Sequence, residues 1–253
     1  PQFAHMPLLR NTDKSKISKR KNPAARLLWF REHGYLPEAV RNFLQLLGYP
    51  PSAEDAEVAS FDEFVEHFSW DKVNTTGPIF DLKKLDWLNG HYIRTLSAEE
   101  LADRIVEYAV AAGQLPEDFN PFHVARLRAA VPIIQERLTL LADAIPQLRF
   151  LLIEDEELVV EAESFAALRE EAAAVLDATI DVVAELEPFR HDTLQAGLRA
   201  SLVEGMGIKA KFAFAPARIA ITGSRVSPPL FESMEILGRD SSLHRLKALR
   251  AAL

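Results

Sequence analysis

Helix-start signals recur along this chain so regularly that they restrict it to a mainly α fold. Pro37 stands where a first helical residue is best tolerated, ahead of residues 38–47, and Gly48 follows as a stop. From Val40, the residues Phe43, Leu44 and Leu47 follow at intervals of 3, 4 and 7, which is one face of a helix. Ser60-Phe61-Asp62-Glu63 and Ser97-Ala98-Glu99-Glu100 both read as capping boxes, the first opening a helix through Phe68 and the second a long one ending at Gly113. Asp81 is suited to cap residues 82–88, with Asn89-Gly90 as the stop. Asn120-Pro121 pairs a cap with a first-turn proline, and a helical run follows through Leu127 to Leu141, with Pro132 as a point of division. Residues 212–222 are apolar, β-prone in part and interrupted by Pro216. Ser227-Pro228-Pro229 reads as a turn into a helix, and Asp240 as the cap of the closing helix through Leu253.

With no cysteine among 253 residues, a disulfide framework and a thiolate metal site are both ruled out. The seven histidines show no ligand spacing, so no metal site is assigned. No apolar run is long enough to span a bilayer. The net charge of −8 argues at first against a nucleic-acid partner, but its distribution reverses that impression. Residues 1–26 carry +6, residues 205–253 carry +5, and the intervening stretch carries −19. Two basic ends on an acidic scaffold fit localised phosphate contacts. Residues 151–188 hold twelve acidic residues and one basic one, interleaved with Ala, Val and Leu at helical spacing, and read as amphipathic helices with solvated acidic faces.

The densest basic feature is Lys14-Ser15-Lys16-Ile17-Ser18-Lys19-Arg20-Lys21, five positive charges in eight residues. No core can bury such a run. It is either a solvated arm or localisation patch, or a mobile loop whose lysines meet a polyphosphate. The apolar run Phe3-Ala4-His5-Met6-Pro7-Leu8-Leu9 precedes it. Asn22-Pro23 follows as a turn or helix start, with a helix-like stretch, Ala24-Ala25-Arg26-Leu27-Leu28-Trp29-Phe30, beyond. The run is therefore a loop between structured elements.

Taken with Phe3–Asn11 and Asp13, the sequence Lys16-Ile17-Ser18-Lys19-Arg20 closely resembles the second signature of class I synthetases as it occurs in bacterial glutamyl-tRNA synthetases. Asp71-Lys72-Val73-Asn74, Phe80-Asp81 and Trp87-Leu88-Asn89-Gly90-His91-Tyr92-Ile93 resemble the same family's stem-contact region, where Trp87, Asn89 and Tyr92 are expected to be structural. Arg218-Ile219-Ala220-Ile221-Thr222-Gly223, Pro228-Pro229-Leu230-Phe231-Glu232 and Leu237-Gly238-Arg239 extend the resemblance to the end of the chain. Ile17 stands where Met or Leu is commoner, and Arg20 ends the signature; both variants occur in the glutamyl family. Because the chain starts with Pro1 and in mid-element, it is expected to be the C-terminal portion of a longer protein, without the nucleotide-binding sheet.

The resemblance implies an ATP-dependent ligase that joins glutamate to its tRNA through glutamyl-adenylate. Lys19 is expected to make the main contact to the ATP phosphates, Lys16 to assist and Ser18 to shape the loop. Mg²⁺ is expected in the full-length enzyme. Arg137, in Gln135-Glu136-Arg137-Leu138, falls where the family places its reader of the third anticodon base, and Arg218, Ser227, Pro228 and Leu230 fall near the anticodon. Lys209, Lys211 and Arg225 are expected phosphate contacts. The fold implied is a signature-loop and stem-contact region over 1–96, then two helical anticodon-binding domains, 97–175 and 176–253. Glutamate, ATP and tRNA(Glu) are the partners implied, for a cytoplasmic monomer. A glutaminyl enzyme is disfavoured, because its C-terminal part is built of β-barrels whereas this chain is rich in capped helices. The alternative from another class is a non-catalytic helical module that binds RNA or protein. By itself the 253-residue chain is expected to make no adenylate.

Overall fold

A computed structural model of the protein describes residues 3, 5–20, 22–51 and 57–253; Pro1, Ala4 and Lys21 lie outside the described residues. The chain packs as two compact units, one formed by residues 1–116 and 135–144, the other by residues 117–134 and 145–253. Among the described residues there is no sheet, and β structure is limited to two isolated bridges at Arg10.

In the first unit the helices are α1 (Leu27–Glu32), α2 (Pro37–Gly48), α3 (Phe61–His67), α4 (Leu82–Thr95) and α5 (Ala98–Ala111). Pro37 opens α2 as expected, and the helix buries Ala39, Val40, Phe43 and Leu47 on one face. Ser60 and Glu63 exchange both capping-box bonds at the start of α3, at 3.2 and 2.8 Å. The second expected box is only half made. Ser97 Oγ accepts from the Glu100 amide at 3.1 Å, but the Glu100 carboxylate turns to Arg104 at 2.8 Å. Arg104 also holds Glu38 with two bonds, at 3.0 and 2.9 Å, tying α5 to α2. Burial alone would push the Glu38 carboxyl up, yet the Arg104 bonds outweigh it and hold that carboxyl below its usual range.

Asn89-Gly90 does not end α4, contrary to the sequence expectation; the helix runs on to Thr95. Asn89 is fully buried, where its Oδ1 accepts from the Leu36 amide at 2.7 Å and its Nδ2 donates to the Thr139 carbonyl. A Cβ at position 90 would stand 3.1 Å from Arg94 Nη1 and 3.4 Å from the Leu138 carbonyl, so glycine here serves close packing. Leu36, Phe43, Leu85, Leu88, Ile93, Leu101 and Ile105 form the core around these helices.

The second unit contains α6 (Pro121–Ile134), α8 (Ala162–Ala166), α9 (Ala172–Glu185), α10 (His191–Leu198), α11 (Ala210–Ala213), α12 (Ala215–Thr222), α13 (Leu230–Leu237) and α14 (Arg239–Ala251), while α7 (Ala144–Leu148) begins at the join. Asn120 Oδ1 caps α6 through the Phe122 amide at 2.9 Å. Pro132 does not divide the helix. It lies on the exposed face, where water can serve the carbonyl that its missing N–H leaves. Beyond Ile134 the expected helical run breaks instead into the 3-10 turns Gln135–Arg137 and Leu141–Asp143.

Residues 212–222 are helical, not β. Pro216 occupies the first turn of α12, where its lost N–H costs nothing, and Pro216, Ala217, Ile219, Ala220 and Ile221 are all buried. Burial on nearly every side erases the periodicity that separates a helix from a strand in sequence. Asp240 is likewise not the cap of the closing helix. That place is taken by Gly238, whose φ of 90° and ψ of 162° turn α13 directly into α14 and are open to glycine alone. Leu176, Leu194, Leu198, Leu202, Ile221, Met234 and Leu246 fill the core of this unit.

Candidate functional site

The basic loop of the first unit is an exposed turn with an ordered backbone. Arg10 bridges Lys16 in the antiparallel sense and Ile79 in the parallel sense. Its amide donates to the Pro78 carbonyl at 2.9 Å, and its carbonyl accepts from Phe80 at 2.8 Å. The Ile17 amide donates to the Leu9 carbonyl at 3.1 Å, so the start of the signature pentapeptide is pinned to the residues ahead of it. Between the two arms, Lys14 takes the left-handed conformation at φ 66°, unusual for a residue with a Cβ. Asp13 Oδ1 closes that turn by accepting from the Ser15 amide at 2.9 Å and the Ser15 hydroxyl at 2.6 Å.

Lys16 and Lys19 are exposed, while Ile17 and Ser18 between them are half-buried. The backbone is thus held and the two ammonium groups reach solvent, as electrostatic contact with a phosphate requires. A cleft of about 370 Å³ opens beside the loop, bounded by Asn11, Asn22, Trp29, Phe80 and Lys83. Asn11 and Asn22 carry no signal as site residues in the sequence beyond the turn at Asn22-Pro23, yet their side chains bond each other at 3.0 Å.

Arg137 ends the 3-10 turn Gln135–Arg137 and is exposed. Its neighbour Gln135 donates to the carbonyls of Ile93 and Leu96, both at 2.9 Å, which fixes the turn on the end of α4. Leu138 is buried on the other side. Arg137 therefore projects from an anchored turn and not from a regular helix.

In the second unit, Arg218, Ser227 and Pro228 come together. The Arg218 Nη1 donates to Ser227 Oγ at 2.7 Å and to the Pro228 carbonyl at 2.9 Å, so α12 holds the turn that enters α13. Leu230 is only 3% exposed and Pro228 is buried as well; these two shape the surface from beneath. Gly223 adopts φ 78°, and a Cβ there would lie 2.6 Å from the Val159 carbonyl, so the loop after α12 needs glycine. The Arg225 amide donates to the buried Ser164 hydroxyl at 3.0 Å, which fixes the rest of that loop.

Beside this cluster lies a cavity of about 640 Å³ lined by Arg169, Lys211, Phe212, Phe214, Arg218 and Arg225 among others. The Arg169 guanidinium sits 3.5 Å from the centre of the Phe212 ring, and Phe214 meets Phe231 edge to face at 5.3 Å. Cationic and aromatic groups interleaved around one concavity are what an unstacked nucleic-acid base and its phosphate require. Lys209 stands at the start of α11, exposed. Arg169 and Phe212 escaped the sequence reading, although Arg169 is the one basic residue in the acidic stretch 151–188 and was visible as such.

Residues 1–87 match the family model for the catalytic domain of class I tRNA synthetases (E and Q), and residues 100–250 match the anticodon binding domain. Over its whole length the chain is 56% identical to a glutamate–tRNA ligase of Cutibacterium acnes, covering 52% of that protein. It is 55% identical over 99% of its length to one of Acidothermus cellulolyticus, covering 50% of that protein. The chain belongs to the glutamyl-tRNA synthetase family. It spans about half the length of the curated relatives it matches. Among solved structures, a glutamate tRNA ligase from Elizabethkingia meningosepticum in complex with its amino acid superposes with a TM-score of 0.83 at 22% identity, over the whole chain and 52% of that structure. The likeness bears out the mainly α fold expected from the sequence. Among the described residues no helix is long and apolar enough to cross a membrane.

Proposed function

We propose that this chain is part of a glutamate–tRNA ligase, to which it contributes the ATP-side signature loop and the surfaces that hold the tRNA stem and anticodon. One observation carries the reading. A bridged, lysine-bearing loop in a stretch matched by the synthetase catalytic-domain model is followed, in the same chain, by a helical region matched by the anticodon-binding model. ATP, glutamate and tRNA(Glu) are the proposed substrates, and the cytoplasm is the proposed location. The proposed domain plan is a signature-loop and stem-contact region over 1–96 and two helical anticodon-binding domains, 97–175 and 176–253.

The chemistry follows from charge. As the glutamate carboxylate attacks the α-phosphate of ATP, negative charge grows on the leaving pyrophosphate. Preorganised cations aimed at that charge stabilise the transition state more than the ground state. Lys19 is the proposed main contact, Lys16 its assistant, and Ser18 the residue that shapes the backbone between them. Among the described residues no three His, Asp or Glu side chains converge to hold a metal ion. Any Mg²⁺ used by the full-length enzyme would arrive with the triphosphate, whose oxygens are hard ligands for it. The full-length gene product should catalyse glutamate-dependent exchange of pyrophosphate into ATP, and the 253 residues alone should not. Robust exchange by the 253-residue chain, or none by the full-length product, would contradict the proposal.

At the other end, Arg137 is the proposed reader of the last anticodon base. Glutamate anticodons end in cytosine, whose pairing edge offers acceptors to a guanidinium that can only donate. Guanine, which ends glutamine anticodons, presents mainly donors on that edge. Arg218 and Ser227 are proposed to meet the neighbouring bases, with Pro228 and Leu230 setting the contour beneath them. Lys209, Lys211 and Arg225 are the proposed phosphate contacts. Arg137→Gln, which can both donate and accept, should narrow the preference for the glutamate anticodon by about tenfold, corresponding to a loss of about 1–2 kcal/mol of discrimination. Comparison of kcat/KM for the two tRNAs checks this, and an unchanged ratio removes Arg137 from the role.

A further inference from the structure

We propose that Asn22 is a positioning residue for the phosphate-side lysines, acting through a side-chain clasp with Asn11 that fixes the backbone between Lys16 and Lys19. The proposal rests on the ligase reading above. Asn22 precedes Pro23 at the start of the 3-10 turn Pro23–Ala25, where an asparagine ordinarily caps. Its side chain makes no such bond. It turns back into the basic loop instead.

There the Asn22 Oδ1 accepts from the Ser18 amide at 3.3 Å, and the Asn22 amide donates to the Ser18 carbonyl at 2.8 Å. Ser18 lies between the two lysines, so one residue outside the signature holds both peptide groups of its central serine. The Asn22 Nδ2 donates to Asn11 Oδ1 at 3.0 Å. Asn11 completes the circuit, with its Nδ2 donating to Ser15 Oγ at 2.9 Å, its amide to the Ser15 carbonyl at 2.8 Å, and its carbonyl accepting from Lys14 at 2.8 Å. A single carboxamide thus joins the entry and exit of the loop.

An amide is needed for this. Position 22 must accept from Ser18 and donate to Asn11 at once; a carboxylate can only accept, and alanine does neither. The circuit leaves the lysine side chains exposed and restrains only the backbone that aims them. Long cationic side chains on an unrestrained loop would sample many positions, and small misplacements of a charge from the reacting phosphates cost rate disproportionately.

The test uses the full-length gene product with Asn22→Ala, Asn22→Asp, Asn11→Ala and the double variant Asn11→Ala/Asn22→Ala. Each single variant should lower kcat for glutamate-dependent ATP–pyrophosphate exchange by about tenfold while the glutamate KM stays within about twofold. The double variant should lose clearly less than the product of the two single losses, because both substitutions break the Asn22–Asn11 bond. In the 253-residue chain, trypsin should cut after Lys16 and Lys19 faster in Asn22→Ala than in the parent. Exchange by Asn22→Ala within about twofold of the parent overturns the proposal, as do additive losses in the double variant or unchanged tryptic cleavage. A fall in kcat matched by an equal rise in glutamate KM and a lowered Tm also overturns it, since that is general loss of structure. If the unsubstituted full-length product performs no exchange, the ligase reading fails, and the tryptic comparison still decides whether the clasp exists.

Discussion

Arg245→Ala should destabilise the second unit by about 3–5 kcal/mol and lower the Tm of the chain's corresponding transition by roughly 10 °C or more. Arg245 is a buried charge, 2% exposed, whose Nε donates to Asp155 Oδ1 at 2.6 Å. Its Nη1 donates to two backbone carbonyls, Phe150 at 2.8 Å and Ile221 at 2.9 Å. Burial pushes the guanidinium's pKa down, and the Asp155 hydrogen bond and charge oppose that shift. Nearby Arg126 is shifted down as well, by its own burial and then by the positive charge of Arg245. Truncation at Arg245 would leave a carboxylate and two carbonyls without their donor.

The form of the loss discriminates between explanations. If Arg245 mattered only as the partner of Asp155, replacing both by apolar residues of similar volume should recover most of the stability. It should recover little here, because the carbonyls of Phe150 and Ile221 would still lack a donor. Ile221 is the penultimate residue of α12, the helix that carries Arg218. The same substitution should therefore weaken tRNA binding as well as stability. Thermal unfolding of Arg245→Ala and of Arg245→Met/Asp155→Leu checks the argument; full recovery in the double variant would refute it.

What could be read in the sequence, and what could not, divides by the range of the interactions. Ser60, Ser97 and Asn120 cap helices through partners two or three residues away, so their roles are written locally. Asn89 is fixed by Leu36 and by Thr139, 53 and 50 residues distant, and no local rule distinguishes its buried bridge from a helix stop. Arg169 pairs with Phe212 across the unit in the same way. For the basic loop, the residue types and their flanks were enough to indicate a loop between structured elements, and the expectation of phosphate chemistry came with the resemblance to the synthetase signature. The clasp was not legible, because Asn22 before a proline looks like an ordinary cap until its side chain is seen to face the other way. At the second cluster, the motif picked out Arg218, Ser227, Pro228 and Leu230 together. Only the packing separates the polar pair from the buried Leu230 beneath it.

Lys19→Ala in the full-length gene product should reduce kcat for glutamate-dependent ATP–pyrophosphate exchange by about 10²–10³-fold, the usual effect of removing one preorganised group that meets developing charge. KM for ATP should change much less, because the lysine's contribution grows as the pyrophosphate leaves and is small before that. Lys16→Ala should follow the same pattern with a smaller loss. Both side chains are exposed and neither belongs to the core, so the Tm should stay within about 2 °C of the parent, as for an ordinary surface substitution. That separates this effect from the one at Arg245, where stability falls first. Lys19→Arg should restore only part of the rate. It returns the charge, but as a planar fork in place of a compact ammonium, and the backbone that aims it was shaped for a lysine. Exchange by Lys19→Ala within about threefold of the parent would remove Lys19 from the chemistry. The exposed lysines would then be an ordinary solvated surface, and the bridged loop of Arg10, Lys16 and Ile79 a purely structural element.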